Sequence, residues 1–386
     1  MIERGKISSS QLAKMMYLSI LSTYILVAPA FISQYAGRDM WISPLWASLV
    51  GMLTVAIAYA LHTRHPGQTV IQYSVTLLGP FLGKLVGFLY LFYYLFLSGV
   101  IVREYGEFVI GAFFTRTPIV VVMGSILLIS AFAARGGVEV VGRLAELFVP
   151  VFVAVVALFI VLILPELDPK NMLPILEHGF APSLKGAFVP QGWMSELFLL
   201  AFLLPFLTDR QNGMKSGLIV VVFVTATLTI ANLATLWLFG DITSRLTFPT
   251  YRAVQYIDVA QFLQNIDALV MALWVSSVFV KIAVFHYVLV LGTAQWLGLS
   301  DYRPLALPLC WLVLLFAIWS APGFSELALF IGTALPVYKT VMQILLPLVL
   351  LLVSALRRRR SPLPGVESVD RSAGTASTTT GPAGAT

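Results

Sequence analysis

Cysteine is almost absent: Cys310 stands alone in 386 residues and lies inside an apolar run. It can form no intrachain disulfide, and a metal site built from cysteines is excluded. Histidine is nearly as scarce, and four scattered residues make no convincing metal set. No P-loop, HExxH helix or nucleophile elbow is present, so the sequence predicts no enzyme and no bound cofactor. Charge is scarce as well. Only 11% of residues are charged, where a soluble domain carries about a quarter.

What fills the chain instead is apolar: 59% of residues are hydrophobic. A membrane-spanning helix needs about 20 largely apolar residues, and runs of that kind recur along nearly the whole length. They are continuous rather than alternating with period two, which argues against a transmembrane barrel. The net charge of +6 is no nucleic-acid footprint, because much of it is the run Arg357–Arg360 just after the last apolar stretch, an ordinary cytoplasmic stop. At the other end, "MIERGKISSSQLAKMMYLSI" runs on past signal length. Ser8-x-x-Gln11 resembles a capping box that opens a retained helix.

Apolar runs and their breaks predict ten spans, at about 12–33, 40–62, 81–108, 118–134, 143–164, 189–208, 214–239, 267–297, 303–320 and 328–355. An even number puts both termini on one side. Lys and Arg number 14 at the termini and in the connections on their side, against 7 in the longer opposite connections, which predicts cytoplasmic termini. Two outer connections are long, near 165–188 and 240–266. In the second, Val259, Phe262, Leu263 and Ile266 fall on one face, predicting a short amphipathic helix at about 250–266. The tail from 356 to 386 is basic, then rich in Ser, Thr, Gly, Ala and Pro, and is expected to be disordered.

The organisation expected is therefore a segment 1–11, a five-helix set 12–164, an outer loop 165–188, a second five-helix set 189–355, and the tail. Five spans followed by five means that the second set is inserted upside down relative to the first. In transporters built this way, the leading helix of each half is discontinuous near the midplane and offers backbone groups to substrate. The sixth span, "VPQGWMSELFLLAFLLP", fits that role with its bracketing prolines, Gly192 and Glu196; in the first span "STYILVAPAF" carries Pro29. Helices 1 and 6 are accordingly predicted to be broken.

The stretches "ISSSQL" (7–12), "TRTPI" (115–119), "RGGVEVVGRLAELFVP" (135–150), "GWMSELFLLAFLLP" (192–205), "FPT" (248–250) and "LGLSDYRP" (297–304) together resemble the spore germination permease family, the B subunits of bacterial spore germinant receptors within the amino acid–polyamine–organocation superfamily. The resemblance implies an all-α polytopic fold of ten transmembrane helices, a LeuT-type 5+5 inverted repeat. It also implies a place in the spore inner membrane beside A and C subunits, and a small-molecule germinant, often an amino acid. Relatives commonly have glycine at the first-helix break, whereas this chain reads Thr23-Tyr24-Ile25-Leu26.

Several residues are candidates for ligand contact. Glu196 is an ionisable group within a span, a functional candidate by default, either bracing the helix break or touching ligand or proton. Lys281 sits mid-span, with Ser277 and Trp274 on its face. In the implied fold this helix faces the first, so Ser276 and Ser277 suit a sodium ion, while the lysine ammonium suits its replacement; coupling to H+ or Na+ stays open. Tyr93 and Leu97 suit a pocket wall or a packing stripe, and Tyr24, Ile25, Gly192 and Trp193 flank the expected breaks, whose helix N-termini suit a carboxylate. His286 reads as a packed residue. Arg103, Glu104 and Glu107, like Arg135, Glu139, Arg143 and Glu146, read as interfacial ion pairs, with docking or gating as the alternative for the second group. Two functions fit these residues, a germinant-receptor subunit or a stand-alone proton- or sodium-coupled amino acid permease, with a passive channel as a third.

Overall fold

The computed structural model describes residues 2–256 and 266–360. Among these there is no strand, only a single parallel bridge between Ile7 and Leu207. The helices are α1 (Ser9–Ala36), α2 (Ser43–Arg64), α3 (Val70–Leu78), α4 (Pro80–Ala112), α5 (Ile119–Arg135), α6 (Val138–Ile163), α7 (Ala181–Gly186), α8 (Pro190–Ser195), α9 (Leu200–Leu203), α10 (Gly213–Phe239), α11 (Pro249–Gln255), α12 (Ile266–Leu297), α13 (Ala306–Trp319), α14 (Phe324–Gly332), α15 (Ala334–Thr340) and α16 (Leu346–Arg360). Among the described residues seven helical stretches are long and apolar enough to cross a membrane, or eight if the bent pair Arg303–Trp319 and Phe324–Gly332 counts as one. This is an all-α, multi-pass membrane protein. The 95° bend between that pair sets α14 aside from the last crossing, so the final long apolar stretch starts at Ala334 and not at 328.

α1 starts where the sequence says it should. Ser8 Oγ accepts from Gln11 N at 3.1 Å and Gln11 Oε1 accepts from Ser8 N at 3.0 Å, the reciprocal cap worth about 1 kcal/mol. The helix is almost wholly buried and packs against α10, α12 and α6. By contrast, α6 turns most of its strongly apolar surface outward, as a lipid-facing helix does.

The expected break in helix 1 is absent: α1 runs unbroken from Ser9 to Ala36, straight through Pro29. Proline lacks an N–H and frees the carbonyl four residues back, here that of Ile25. Thr250 Oγ1 donates to that carbonyl at 2.5 Å, and Trp274 Nε1 donates to Ser22 O at 2.6 Å. Thr250 of α11 thus satisfies the freed group, Trp274 adds a bond one turn earlier, and no unwinding is needed. The sixth stretch is interrupted in a different sense. After α8, residues Glu196–Leu199 tighten into a 3₁₀ turn, and after α9, Leu204–Phe206 do so again. Every residue from Pro190 to Phe206 is helical or 3₁₀, so no bare peptide is exposed at this break either. The helix N-termini expected to grip a carboxylate are not formed.

The two stretches run antiparallel. Ile7 N donates to Phe206 O and Thr208 N to Ile7 O, both at 3.0 Å, joining the start of α1 to the end of the sixth stretch. At mid-length Trp193 Nε1 donates to Thr23 Oγ1. α7 lies against the far end of α1, where a Cβ on Gly186 would meet Ala36. Of the expected amphipathic helix, α11 supplies the first residues; Val259, Phe262 and Leu263 lie outside the described residues, and Ile266 opens α12. α16 carries the basic run through Arg360 as helix, and the polar tail beyond it lies outside the described residues.

Candidate functional site

Where α1, α8, α12 and α15 meet, the interior holds charge. Glu196 is fully buried at the start of its 3₁₀ turn. Its Oε2 accepts from Lys281 Nζ on α12 at 2.9 Å, and its Oε1 accepts from Lys339 Nζ on α15 at 2.6 Å. Lys281 also donates to Thr23 Oγ1 at 2.8 Å, the same oxygen that accepts from Trp193 Nε1 at 2.9 Å. Lys339 lies 4.9 Å from the Trp193 ring centroid and Lys281 5.5 Å from that of Phe285, cation–π contacts in a dry setting. Desolvating these charges costs several kcal/mol each, offset only by close pairing. Two ammonium groups share one carboxylate in direct contact, so the cluster is short of negative charge.

The packing that brings the lysines together depends on Gly192. A Cβ there would meet Pro336 Cα at 3.3 Å and Lys339 Cδ at 3.4 Å, so the absent side chain lets α8 approach α15. Just past α15 the chain makes a π-turn over Val341–Leu345, a feature frequent at functional sites. It turns Gln343 toward Ser195, whose hydroxyl donates to Gln343 Oε1 at 2.8 Å.

Several buried polar atoms around this cluster have no hydrogen-bond partner among the described residues: Ser22 Oγ, the hydroxyls of Tyr24 and Tyr93, and Glu104 Oε1. Of the predicted residues, Tyr24 packs edge-on against Trp193 at 5.1 Å, and Tyr93 does so against Tyr94 and Tyr338. Leu97 is core. Ile25 lines two narrow apolar crevices of 70 and 80 Å³ on the side of α6 and α11. Ser277 and Ser276 each donate to a carbonyl of their own helix, Trp274 and Ala272 respectively. His286 is packed, its Nε2 against Ala306 O at 2.8 Å.

The ion pairs read at the outer end of the third span divide. Arg103 pairs with Glu107 at 2.7 Å and donates to Pro322 O at 3.1 Å, whereas Glu104 is left out and buried. Glu139 and Arg143 pair loosely at 3.7 Å, and Glu146 is taken by Lys14 at 3.1 Å, so that cluster ties α6 to the start of α1.

Aromatic rings close the core off from one end. Phe108, Trp274, Phe248 and Tyr251 interlock, with Phe108 and Trp274 centroids 4.3 Å apart. Above them opens a 490 Å³ vestibule lined by Glu107, Thr115, Arg252, Gln255 and Phe324. The opposite end is fastened around Glu3. Its Oε1 accepts from Gly5 N at 2.7 Å, and its Oε2 accepts from Tyr302 at 2.7 Å, Tyr287 at 3.2 Å and the first N–H of α6 at 3.4 Å. Gly137 makes room at φ +91, where a side chain would strike both Glu3 and Tyr302. Burial, and then the carboxylate it donates to, pushes the Tyr302 phenol above its ordinary value, keeping it a donor. Nearby, Ser9 donates to Asp209 through Oγ at 2.5 Å and N at 3.0 Å; these bonds, with Asn212, hold Asp209 down to about 2.

Sequence reasoning missed Lys339, Thr23 as the acceptor shared by Lys281 and Trp193, Gln343 and the burial of Glu104. Lys339 carried its own signal: a lysine inside the last apolar run, open to the same rule that singled out Lys281.

Comparison with known proteins agrees with this architecture. The chain is 29% identical to "Spore germination protein KB" of Bacillus subtilis (strain 168), over 93% of this chain and 97% of that one. It is 22% identical to "Spore germination protein YndE" of the same organism, over 92% and 98%. Among solved structures it resembles MhsT, described in complex with L-phenylalanine, at TM-score 0.61 and 14% identity, covering 92% of this chain and 89% of that one. MhsT is a transporter of the LeuT fold, and that fold is shared. The family model of spore germination proteins, the spore permeases, matches residues 6–323, and the chain belongs to that family.

Proposed function

We propose that this chain is the B subunit of a spore germinant receptor that binds a small nutrient, an amino acid, at mid-membrane. It acts in the spore inner membrane, with cytoplasmic termini and beside A and C subunits. In this reading ten crossings form a 5+5 inverted repeat; the antiparallel run of α1 against Pro190–Phe206 supports it. The observation that carries the functional reading is the buried Lys281–Glu196–Lys339 cluster, in a chain whose relatives are named germination proteins and whose structural neighbour holds L-phenylalanine.

Unbroken α1 changes how such a site works. In place of backbone dipoles at two helix breaks, side-chain ammonium groups receive the ligand carboxylate. Tyr24, Ile25, Tyr93, Leu97 and Trp193 form the apolar wall, Gly192 sets its depth, and Glu196, Ser277 and Lys281 form the polar floor. With Lys281 standing where a metal ion would be useful, sodium is not required, and any ion coupling is to protons. The site is shut at both ends, so the ligand enters by the vestibule as the Phe108–Trp274 layer opens. It signals only in proportion to its preference for one arrangement of the helices.

The test is equilibrium binding of the twenty L-amino acids to the purified full chain. A hit that weakens at least tenfold in Lys339→Met and in Lys281→Met supports the site; a hit unchanged in both places the ligand elsewhere. Uptake into vesicles holding this chain alone separates the second function. Gradient-driven accumulation there makes it a permease rather than a sensing subunit.

A further inference from the structure

Among the described residues, no cation pairs directly with the buried carboxylate of Glu104. It is 3% exposed and its Oε1 has no hydrogen-bond partner. Its neighbour Arg103 is spent on Glu107 and on Pro322 O. Yet Glu104 lies within electrostatic reach of Lys281, Lys339 and Glu196. Along α4 it stands seven residues beyond Leu97 and eleven beyond Tyr93, two and three helical turns, so the three share a face. Glu107, one turn further on, already lines the vestibule. Among the described residues of α4, Glu104 is therefore the carboxylate that stands between the vestibule and the lysines.

An unpaired carboxylate is held in a dry interior against a heavy penalty, and here the opposite valence is unspent nearby. An ammonium has three hydrogens to give. Lys339 gives one hydrogen bond, to Glu196. The core thus presents unspent ammonium hydrogens on α15 and one unused carboxylate on α4. Lys281, Lys339, Glu196 and Glu104 balance in formal charge: a lone carboxylate or a lone ammonium would upset that balance in low dielectric, a neutral ligand would leave the free carboxylate and ammonium hydrogens without a charged partner, and a ligand carrying both signs avoids both costs.

We propose that Glu104 is the ammonium-binding residue of the site, with the ligand carboxylate on Lys339, and that the ligand class is the zwitterionic α-amino acid with a free ammonium group. This rests on the reading of the mid-membrane site given above and names the group that selects within it. Simple carboxylates engage the lysine side alone, and amines engage Glu104 alone. Sugars and nucleosides match neither.

The experiment is calorimetric titration of the purified full chain with each amino acid that binds, its desamino acid and its decarboxylated amine. Wild type is expected to favour the amino acid at least tenfold over either analogue. Glu104→Gln, checked for an unchanged unfolding temperature, is expected to weaken the amino acid at least tenfold and to leave the desamino acid within twofold. Glu104→Asp recovers part of the loss. Equal weakening of amino acid and desamino acid in Glu104→Gln, or none of either, overturns the assignment while leaving the site in place. Absence of binding by any amino acid to wild type removes the functional reading, and this inference with it.

Discussion

Glu196 and Glu3 are both buried carboxylates, and they are held by opposite means. Glu196, in the middle of the bundle, is neutralised by ammonium groups from α12 and α15. Glu3, at the end where α1 begins, is held by two phenols, two backbone N–H groups and the positive end of α6. A full charge in the membrane interior needs a full countercharge, so the first arrangement fails when one partner is lost. Neutral donors share the load at the second, which loses strength in steps. The charged core is thus the brittle region and the end latch the tolerant one.

Four changes sharpen or break that contrast. Glu196→Ala strands two buried ammonium groups and is expected to destabilise the protein by about 3–5 kcal/mol, read from unfolding in detergent. Adding Lys281→Met and Lys339→Met to it should recover most of that loss. Lys339→Met alone leaves a one-to-one Lys281–Glu196 pair and loses one charged hydrogen bond, a cost of about 1.5–3 kcal/mol. Glu3→Gln keeps the shape and an acceptor oxygen, so about 1 kcal/mol is expected, seen as faster hydrogen exchange in residues 2–8 and not at mid-membrane. A cost for Glu3→Gln equal to that of Glu196→Ala would dissolve the contrast. The smallest effect concerns pH. Asp209 is held down to about 2 from an ordinary 3.8, so its contribution is complete above about pH 4 and is lost as pH falls toward 2. Exchange in residues 7–12 should rise over that window, and Ser9→Ala should flatten the rise.

Much of this was open in the sequence. Apolar runs, the Ser8–Gln11 cap and a lysine mid-span are local signals; the cap and the lysine sit where the residues place them, while seven or eight of the ten expected spans are long and apolar enough to cross among the described residues. Glu196 and Lys281 were singled out separately on the cost of burying charge, and the structure joins them. What was not open is pairing across the chain. Proline predicts a broken helix only if nothing else satisfies the freed carbonyl, and the satisfier of Ile25 is Thr250, 225 residues away. The division of Arg103, Glu104 and Glu107 into a pair and a buried remainder depends on which face of α4 meets Pro322, and spacing alone favours neither carboxylate. Lys339 is a different case, legible but passed over, because it belongs to neither loop count and to no recognised motif.

The central claim is that side-chain charge, rather than an opened helix backbone, holds the ligand. The most direct measurement compares amino acid affinity in Lys339→Met and Pro29→Ala. At least a tenfold loss is expected in the first and no more than a twofold change in the second. Full affinity in Lys339→Met with binding abolished in Pro29→Ala would contradict it.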